Sequence, residues 1–248
     1  MSQTKAALIG LLAILPCVPL WAQEAAAPGG DMAHVMAEAA WDWRPGDLIF
    51  RDGINPVDDA MKRALGLQWA SVGILRASSG GPRVVFAGQT AGVTEEMLYE
   101  HVEGLSPDGY AVYRLRDLAP DYDPEELMWA GPMVRLGLTF AYGAPFDDQL
   151  ALGDGAFYNA ELAYVSALNA GIVAGAPVRL RDLLASPEAV EGDVRALLEG
   201  HRYCQYEPTF ADCWAWNLRD QAIVTTDSLI ESGALERVFP QPQAEGDE

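Results

Sequence analysis

The stretch Phe157-Tyr158-Asn159-Ala160-Glu161-Leu162-Ala163-Tyr164-Val165-Ser166-Ala167-Leu168 decides how the rest of the chain is arranged. It reads as one amphipathic helix. Tyr158, Leu162, Val165 and Leu168 recur at helical spacing and form a single apolar stripe. Ala160, Ala163 and Ala167 permit close packing and favour helix. Gly171 supplies a stop, and Gly153-Asp154-Gly155 is the loop that precedes the helix. Asn159 then falls in the first turn, where backbone N–H groups have no intrahelical partner. A side chain there serves as a cap, a role in which Asn excels. Alternatively it is a nucleophile whose anion the helix terminus stabilises. Asn favours the cap.

Upstream of this helix the chain is rich in short apolar runs. Asp47–Arg51, Ala70–Leu75, Arg83–Ala87 and Tyr110–Leu115 read as strands. Helices are expected at Val57–Leu65, between Pro56 and Gly66, and at Glu95–His101 and Pro124–Leu138. Downstream, Leu180–Leu184 and Val190–Leu198 read as surface helices. Ile223-Val224-Thr225-Thr226 reads as an extended piece, followed by a helix capped from Thr226-Asp227-Ser228-Leu229. Strands clustered early, with a long helix late, describe an α+β domain with helices packed on an antiparallel sheet.

The whole chain has 248 residues and a formal net charge of −20. Its length suits one sizeable core. A polyanionic partner needs a basic face, so nucleic acid and anionic membrane surfaces are disfavoured as partners. Met1 to Ala22 has the build of a secretory signal peptide: Lys5, the apolar run Ala6–Val18, and a small residue at the expected cut after Ala22. Residues 23–40 read as a flexible tether, 41–240 as the domain and 241–248 as a disordered acidic tail. The expected location is therefore secreted or periplasmic, with no stable membrane span after cleavage. Cys17 leaves with the signal. Cys204 and Cys213 remain, an even count in an oxidising compartment, and are expected to form a disulfide. In the chain-entropy view that bridge stabilises by about 2.5–3 kcal/mol. His201 lies near both, but the four ligands of a structural metal site are missing, so no metal or other cofactor is expected.

Four pieces carry a resemblance. They are Gly46-Asp47-Leu48-Ile49-Phe50; Ala70-Ser71-Val72-Gly73-Ile74; Tyr142-Gly143-Ala144-Pro145-Phe146-Asp147 leading to Phe157–Leu162; and Ile223 to Leu229. Their order and spacing resemble the permuted papain-like, NlpC/P60-type cysteine hydrolases of the YiiX/YebB type, over roughly Trp43 to Phe239. The resemblance implies a papain-like antiparallel sheet or small barrel against a helix that carries the nucleophile. It implies attack by a Cys thiolate on an amide or ester carbonyl, with a His as base and a polar group orienting it. Carried over by position, the base would be Ser71, the orienting group Ala87 and the nucleophile Asn159. Asn supplies no thiolate, and Ser does not act as a base at neutral pH.

Three functional classes follow. The first is a secreted protein with the hydrolase scaffold but no cysteine chemistry. Its former cleft, with Ser71, Tyr158, Asn159 and Asp47, binds a cell-envelope ligand: a peptide, a glycopeptide or an acyl group. The second is an active amidase, peptidase or ester hydrolase with relocated groups. Its candidates are Ser71, Ser166, or Cys204 or Cys213 with His201; His34 and His101 complete the histidines. The third is an acidic interaction module, drawing on runs such as Asp121-Tyr122-Asp123 or on an aromatic patch of Tyr203, Tyr206, Trp214 and Trp216.

Overall fold

The computed structural model describes residues 40–117, 131–184, 186–190 and 192–240. The stretches read as a signal peptide and a tether, up to residue 39, the acidic run at 121–123, the first part of the helix expected at Pro124–Leu138 and the residues after 240 lie outside the described residues.

The elements run β1 (Leu48–Arg51), α1 (Pro56–Leu65), β2 (Ser71–Arg76), β3 (Arg83–Gly88), β4 (Gly92–Met97), α2 (Leu98–His101), β5 (Tyr110–Leu115) and α3 (Pro132–Arg135). A π turn, Leu136–Phe140, continues α3. Then come α4 (Asn159–Asn169), β6 (Val178–Arg179), α5 (Leu180–Leu183), α6 (Gly192–Glu199) and α7 (Phe210–Cys213), which runs into a second π turn, Trp214–Leu218. The chain closes with β7 (Ala222–Ile223), α8 (Thr226–Ile230) and β8 (Leu235–Phe239).

Six strands form one antiparallel sheet in the order β4-β3-β2-β1-β5-β8. The fold is thus α+β, as the pattern of runs implies. The sheet is open, since β4 and β8 lie at opposite edges and do not pair with each other, so the small barrel is not what forms. Side chains alternate between its faces. Leu48, Phe50, Val72, Ile74, Val85 and Ala87 point into the main core with α4 and the C-terminal half. Ile49, Leu75, Val84 and Val112 point the other way, under Leu98, Val102 and Tyr110. Cover on both faces explains why β1 to β3 read as continuous apolar runs.

Helix α1 carries the expected Pro56 and Gly66 and a cap besides. Asn55 caps it by accepting from Asp58 N, Pro56 opens it, and Gly66, at φ 68°, ends it. Two expectations fail for tertiary reasons. The helix expected at Glu95–His101 forms only over Leu98–His101: Glu95 to Met97 end β4, which pairs with β3 along its whole length, and Arg76 and Arg83 grip the Glu95 carboxylate. Pairing outweighs intrinsic propensity here. The stripe expected on α4 is also displaced. Leu168 is 42% exposed and Val165 half-buried, while Ala160, Leu162, Ala163, Ser166 and Ala167 are buried. The helix lies close against β2, β3 and α3, and that approach selects small side chains. On α8 the cap is Thr225, one residue before the expected Thr226.

The chain enters α4 through a clamped loop. Val93 N donates to Ala144 O and Gly143 N to Val93 O. Gly92, at φ 69°, permits this approach, since a Cβ there would lie 2.1 Å from Ala144 O. Beyond it, Phe157 N donates to Pro145 O and Asp147 N to Phe157 O, so the ends of the 146–157 loop are tied together. Cys204 and Cys213 are bonded, with Cα atoms 5.1 Å apart.

Candidate functional site

The start of α4 meets α1, β2 and the end of β3, and that junction holds the polar groups. Tyr158 occupies the cap position with an extended backbone, so Asn159 is the first residue inside the helix and does not cap it. Its side chain reaches sideways instead. Oδ1 accepts from Ala87 N at 2.6 Å, and Nδ2 donates to Ala87 O at 3.1 Å and to Asp58 Oδ2 at 2.7 Å. The amide thus completes both main-chain groups of Ala87, as a neighbouring strand would. Ser71 Oγ donates to the same Asp58 oxygen, and Asn55 Nδ2 donates to it at 2.8 Å.

Ser71, Ala87 and Asn159, far apart in sequence, are therefore brought together, and all three are buried. What joins them is Asp58, a residue that the sequence pattern did not single out. A signal existed: Asp58 lies three residues after the capping Asn55, in the middle of a buried face with Val57 and Met61. Burial pushes the Asp58 carboxyl up to about 6 against the opposing effect of its three donors. All three converge on Oδ2; among the described residues, none reaches Oδ1.

Asp58 also lines a recess between α1, the start of α4 and the β7–α8 turn. Met61, Leu150, Ile223 and Val224 form apolar walls, and Leu65 and Leu67 are half-buried. Tyr158 brings its hydroxyl, which accepts from Val224 N at 2.8 Å. Leu150 holds φ 54°, an uncommon backbone for a branched side chain. Gln221 Nε2 pins it there by donating to Gln149 O and Leu150 O, each at 2.8 Å.

A second group of acids sits on the far side of the same helix terminus. Glu161 is fully buried; Oε1 accepts from Gly153 N at 2.8 Å, whereas Oε2 has no hydrogen-bond partner among the described residues. Burial raises it to about 7, and the nearby Asp147 and Asp154 charges add to the rise. Asp147 accepts from Gln149 N and Ala151 N and is raised to about 6, again chiefly by burial.

Other candidates are placed elsewhere. The Asp47 carboxylate is taken up by Arg114, at 2.7 and 2.8 Å, and by Arg44 N, so it braces β1 against β5 and is not offered to a ligand. Cys204 and Cys213 bond each other, which leaves His201 no thiol to activate. His201 is buried against Tyr203, and burial, then the Arg202 charge, lower its pKa. His101 pairs with Glu96 at 2.7 Å and stacks near Phe86. Ser166 is buried in the face of α4 with its hydroxyl unpartnered. Trp214 is core, while Tyr203, Tyr206 and Trp216 are exposed.

Comparisons with known proteins fit this geometry at the level of the fold. No protein-family model matches the chain, and no curated protein matches it. Among solved structures, the crystal structure of the metalloprotein YiiX from Escherichia coli O157:H7, of DUF1105, is similar. The TM-score is 0.60 at 20% sequence identity, over 82% of this chain and 100% of that one. The α+β sheet and the helix laid across it are a YiiX-like fold.

Proposed function

We propose that this chain is a secreted, YiiX/YebB-like protein of the permuted papain-like, NlpC/P60 type that has lost cysteine-hydrolase chemistry. Its former active-site cleft binds a cell-envelope ligand: a peptide, a glycopeptide or an acyl group. The observation that carries this reading is the state of Asn159. Every polar atom of its amide is spent on Ala87 and Asp58, inside a cluster closed to solvent. A nucleophile and base at these positions would have to face a substrate. Here the corresponding groups face one another and hold α1, β2, β3 and α4 together. The neighbouring recess, with Tyr158 and Asp58 in its wall, is the part of the old cleft left to a ligand.

That the similar YiiX is a metalloprotein does not carry over to this chain. Among the described residues no group of three or more His, Cys, Asp or Glu side chains could hold a metal ion. Asp58 is surrounded by amide and hydroxyl donors, not by further acids or imidazoles. The residues do not fit a metal ion. The disulfide suits an oxidising compartment. Among the described residues no helix is long and apolar enough to cross a membrane.

The hydrogen bond from Ser71 to Asp58 favours a second reading, in which Ser71 is a nucleophile with a carboxylate base. The test is turnover by the purified chain on amide, ester and cell-wall peptide substrates, beside binding of the same peptides by calorimetry. The expected result is saturable peptide binding without turnover. Turnover that Ser71→Ala abolishes, with the fold intact, would overturn the binding reading. Restoring the family's groups with Asn159→Cys and Ser71→His removes two donors from Asp58, so that double variant is expected to be less stable than the parent.

A further inference from the structure

The 146–157 loop is fastened across its middle by a few bonds, and one of them ends on an incomplete carboxyl. Glu161 of α4 is 0% exposed, takes Gly153 N on Oε1 and has a buried Oε2 that meets no donor among the described residues. Gly153, Asp154 and Gly155 are exposed, so a thin turn of backbone lies between this carboxyl and water. The other fastenings are Gln221 Nε2 to Gln149 O and Leu150 O, Arg202 N to Gln149 Oε1 at 2.7 Å, and the Arg202–Asp154 ion pair at 3.1 Å. Leu150, in the same loop at φ 54°, is also a wall of the recess.

A neutral carboxyl tolerates this place, because its bare oxygen forgoes only a hydrogen bond. A charge there forgoes the hydration of an ion, which costs far more. Burial, then the Asp147 and Asp154 charges, raise Glu161 to about 7. The groups around it do not offset the charge. Asp147 takes its donors, Gln149 N and Ala151 N, from its own loop, and Asp148 accepts from Gln149 Nε2. Arg202 is spent on Asp154. His201, lowered by burial and by Arg202, is uncharged where Glu161 loses its proton. Tyr158 is raised well above its ordinary value by burial, and Asp58 of α1 is held in the Asn159 cluster. Toward α4 the sheet presents Val72, Ile74, Val85 and Ala87, which do not titrate, and Arg135 of α3 is exposed.

We propose that the 146–157 loop is a proton-operated latch: it closes over Glu161 while that carboxyl holds a proton, is released when the proton leaves, and draws Leu150 from the recess wall as it goes. In the released loop the carboxyl is hydrated and ionises near its ordinary 4.5; in the closed loop it does so at about 7. The proton therefore favours closure, and opening grows as pH rises from 4.5 to about 7 and levels off above. As a control on ligand entry the latch rests on the binding reading above; as a motion of the loop it is read without any ligand.

The experiment is amide hydrogen exchange of the full chain between pH 5 and 7.5, corrected for intrinsic exchange, at Gly153 and Ala151, with Ala87 as the reference in the core. Opening at Gly153 should rise at least about tenfold over this range while Ala87 stays level. Glu161→Gln keeps an acceptor for Gly153 N but cannot ionise, and should remove most of the rise. Asp147→Asn tests the other buried carboxyl of the loop and should leave most of it. A flat profile in the parent would overturn the latch. A rise that survives Glu161→Gln and vanishes in Asp147→Asn would overturn its assignment to Glu161. Should Glu161→Gln not fold, the parent still decides. Its Glu161 carboxyl, followed by carbon-13 NMR, must titrate near neutrality, and a midpoint near the ordinary 4.5 overturns the proposal. Leu150 methyl signals should shift over the same pH range, and methyls that do not move would overturn the link to the recess. The two readings fail separately. If exchange is flat and cell-wall peptides bind, the latch falls and the binding reading stands; if exchange rises as expected and no peptide binds, the reverse holds.

Discussion

The first turn of α4 carries two buried polar side chains two residues apart, and their fates differ. Asn159 points toward α1 and β3 and has every hydrogen bond it can use. Glu161 points toward the 146–157 loop with one oxygen satisfied and the other bare. One side of the helix terminus is a neutral amide that joins α4 to α1 and β3; the other is a carboxylate that burial keeps from ionising easily. The contrast teaches that burial alone does not make a polar group stabilising. What counts is whether its partners are complete, since an unmatched buried group forfeits its hydration with no return.

The largest test removes the complete side. Asn159→Ala strips a partner from Ala87 N, Ala87 O and Asp58 at once. At roughly 1–3 kcal/mol for each unsatisfied buried group, a loss of about 3 kcal/mol or more is expected in urea unfolding. A loss under about 1 kcal/mol would mean the cluster relaxes or admits water, and the contrast would collapse. A smaller effect is expected on the other side. Gln221→Ala frees the loop that Glu161 and Asp147 anchor, removes two hydrogen bonds and should cost about 1–2 kcal/mol. It should also raise hydrogen exchange at Gln149 and Ala151 while leaving Ala87 protected.

The smallest effect sharpens the contrast through pH. A carboxyl raised on folding contributes stability that is complete below its unfolded pKa and lost as pH rises through its folded one. For Glu161 that window runs from 4.5 to about 7, and for Asp58 and Asp147 from 3.8 to about 6. The buried His101 and His201, lowered on folding, act oppositely as pH falls below 6.5. Comparing the parent with Glu161→Gln cancels every group but one. The variant should lose less stability than the parent between pH 5 and 7.5, read as the difference in thermal midpoints. An unchanged slope would mean that Glu161 ionises as freely as in water.

Much of the scaffold was legible in the chain. The four apolar runs became β1, β2, β3 and β5 because strands covered on both faces must be apolar throughout. Helix α1 was legible because Pro56 and Gly66 act locally; its cap, Asn55, is as local but was not singled out. The disulfide was legible from cysteine count and compartment. At the site, the meeting of Ser71, Ala87 and Asn159 was legible only through the resemblance, and the absence of a thiol and a base there followed from residue type alone.

What the tertiary structure decided were matters of partnership. It made Glu95 a strand residue, because Arg76 and Arg83 on neighbouring strands hold its carboxylate. It exposed Leu168 and buried Ser166, because the helix lies too close to the sheet for large side chains. It turned Asn159 from a cap into a brace. It also drew Asp58, 101 residues away in the chain, to the amide it meets at 2.7 Å. Sequence periodicity states which face of an element is apolar and which residues favour its ends, because those effects act within a few residues. Which polar group meets which across the core depends on how distant elements pack, and no local pattern encodes that.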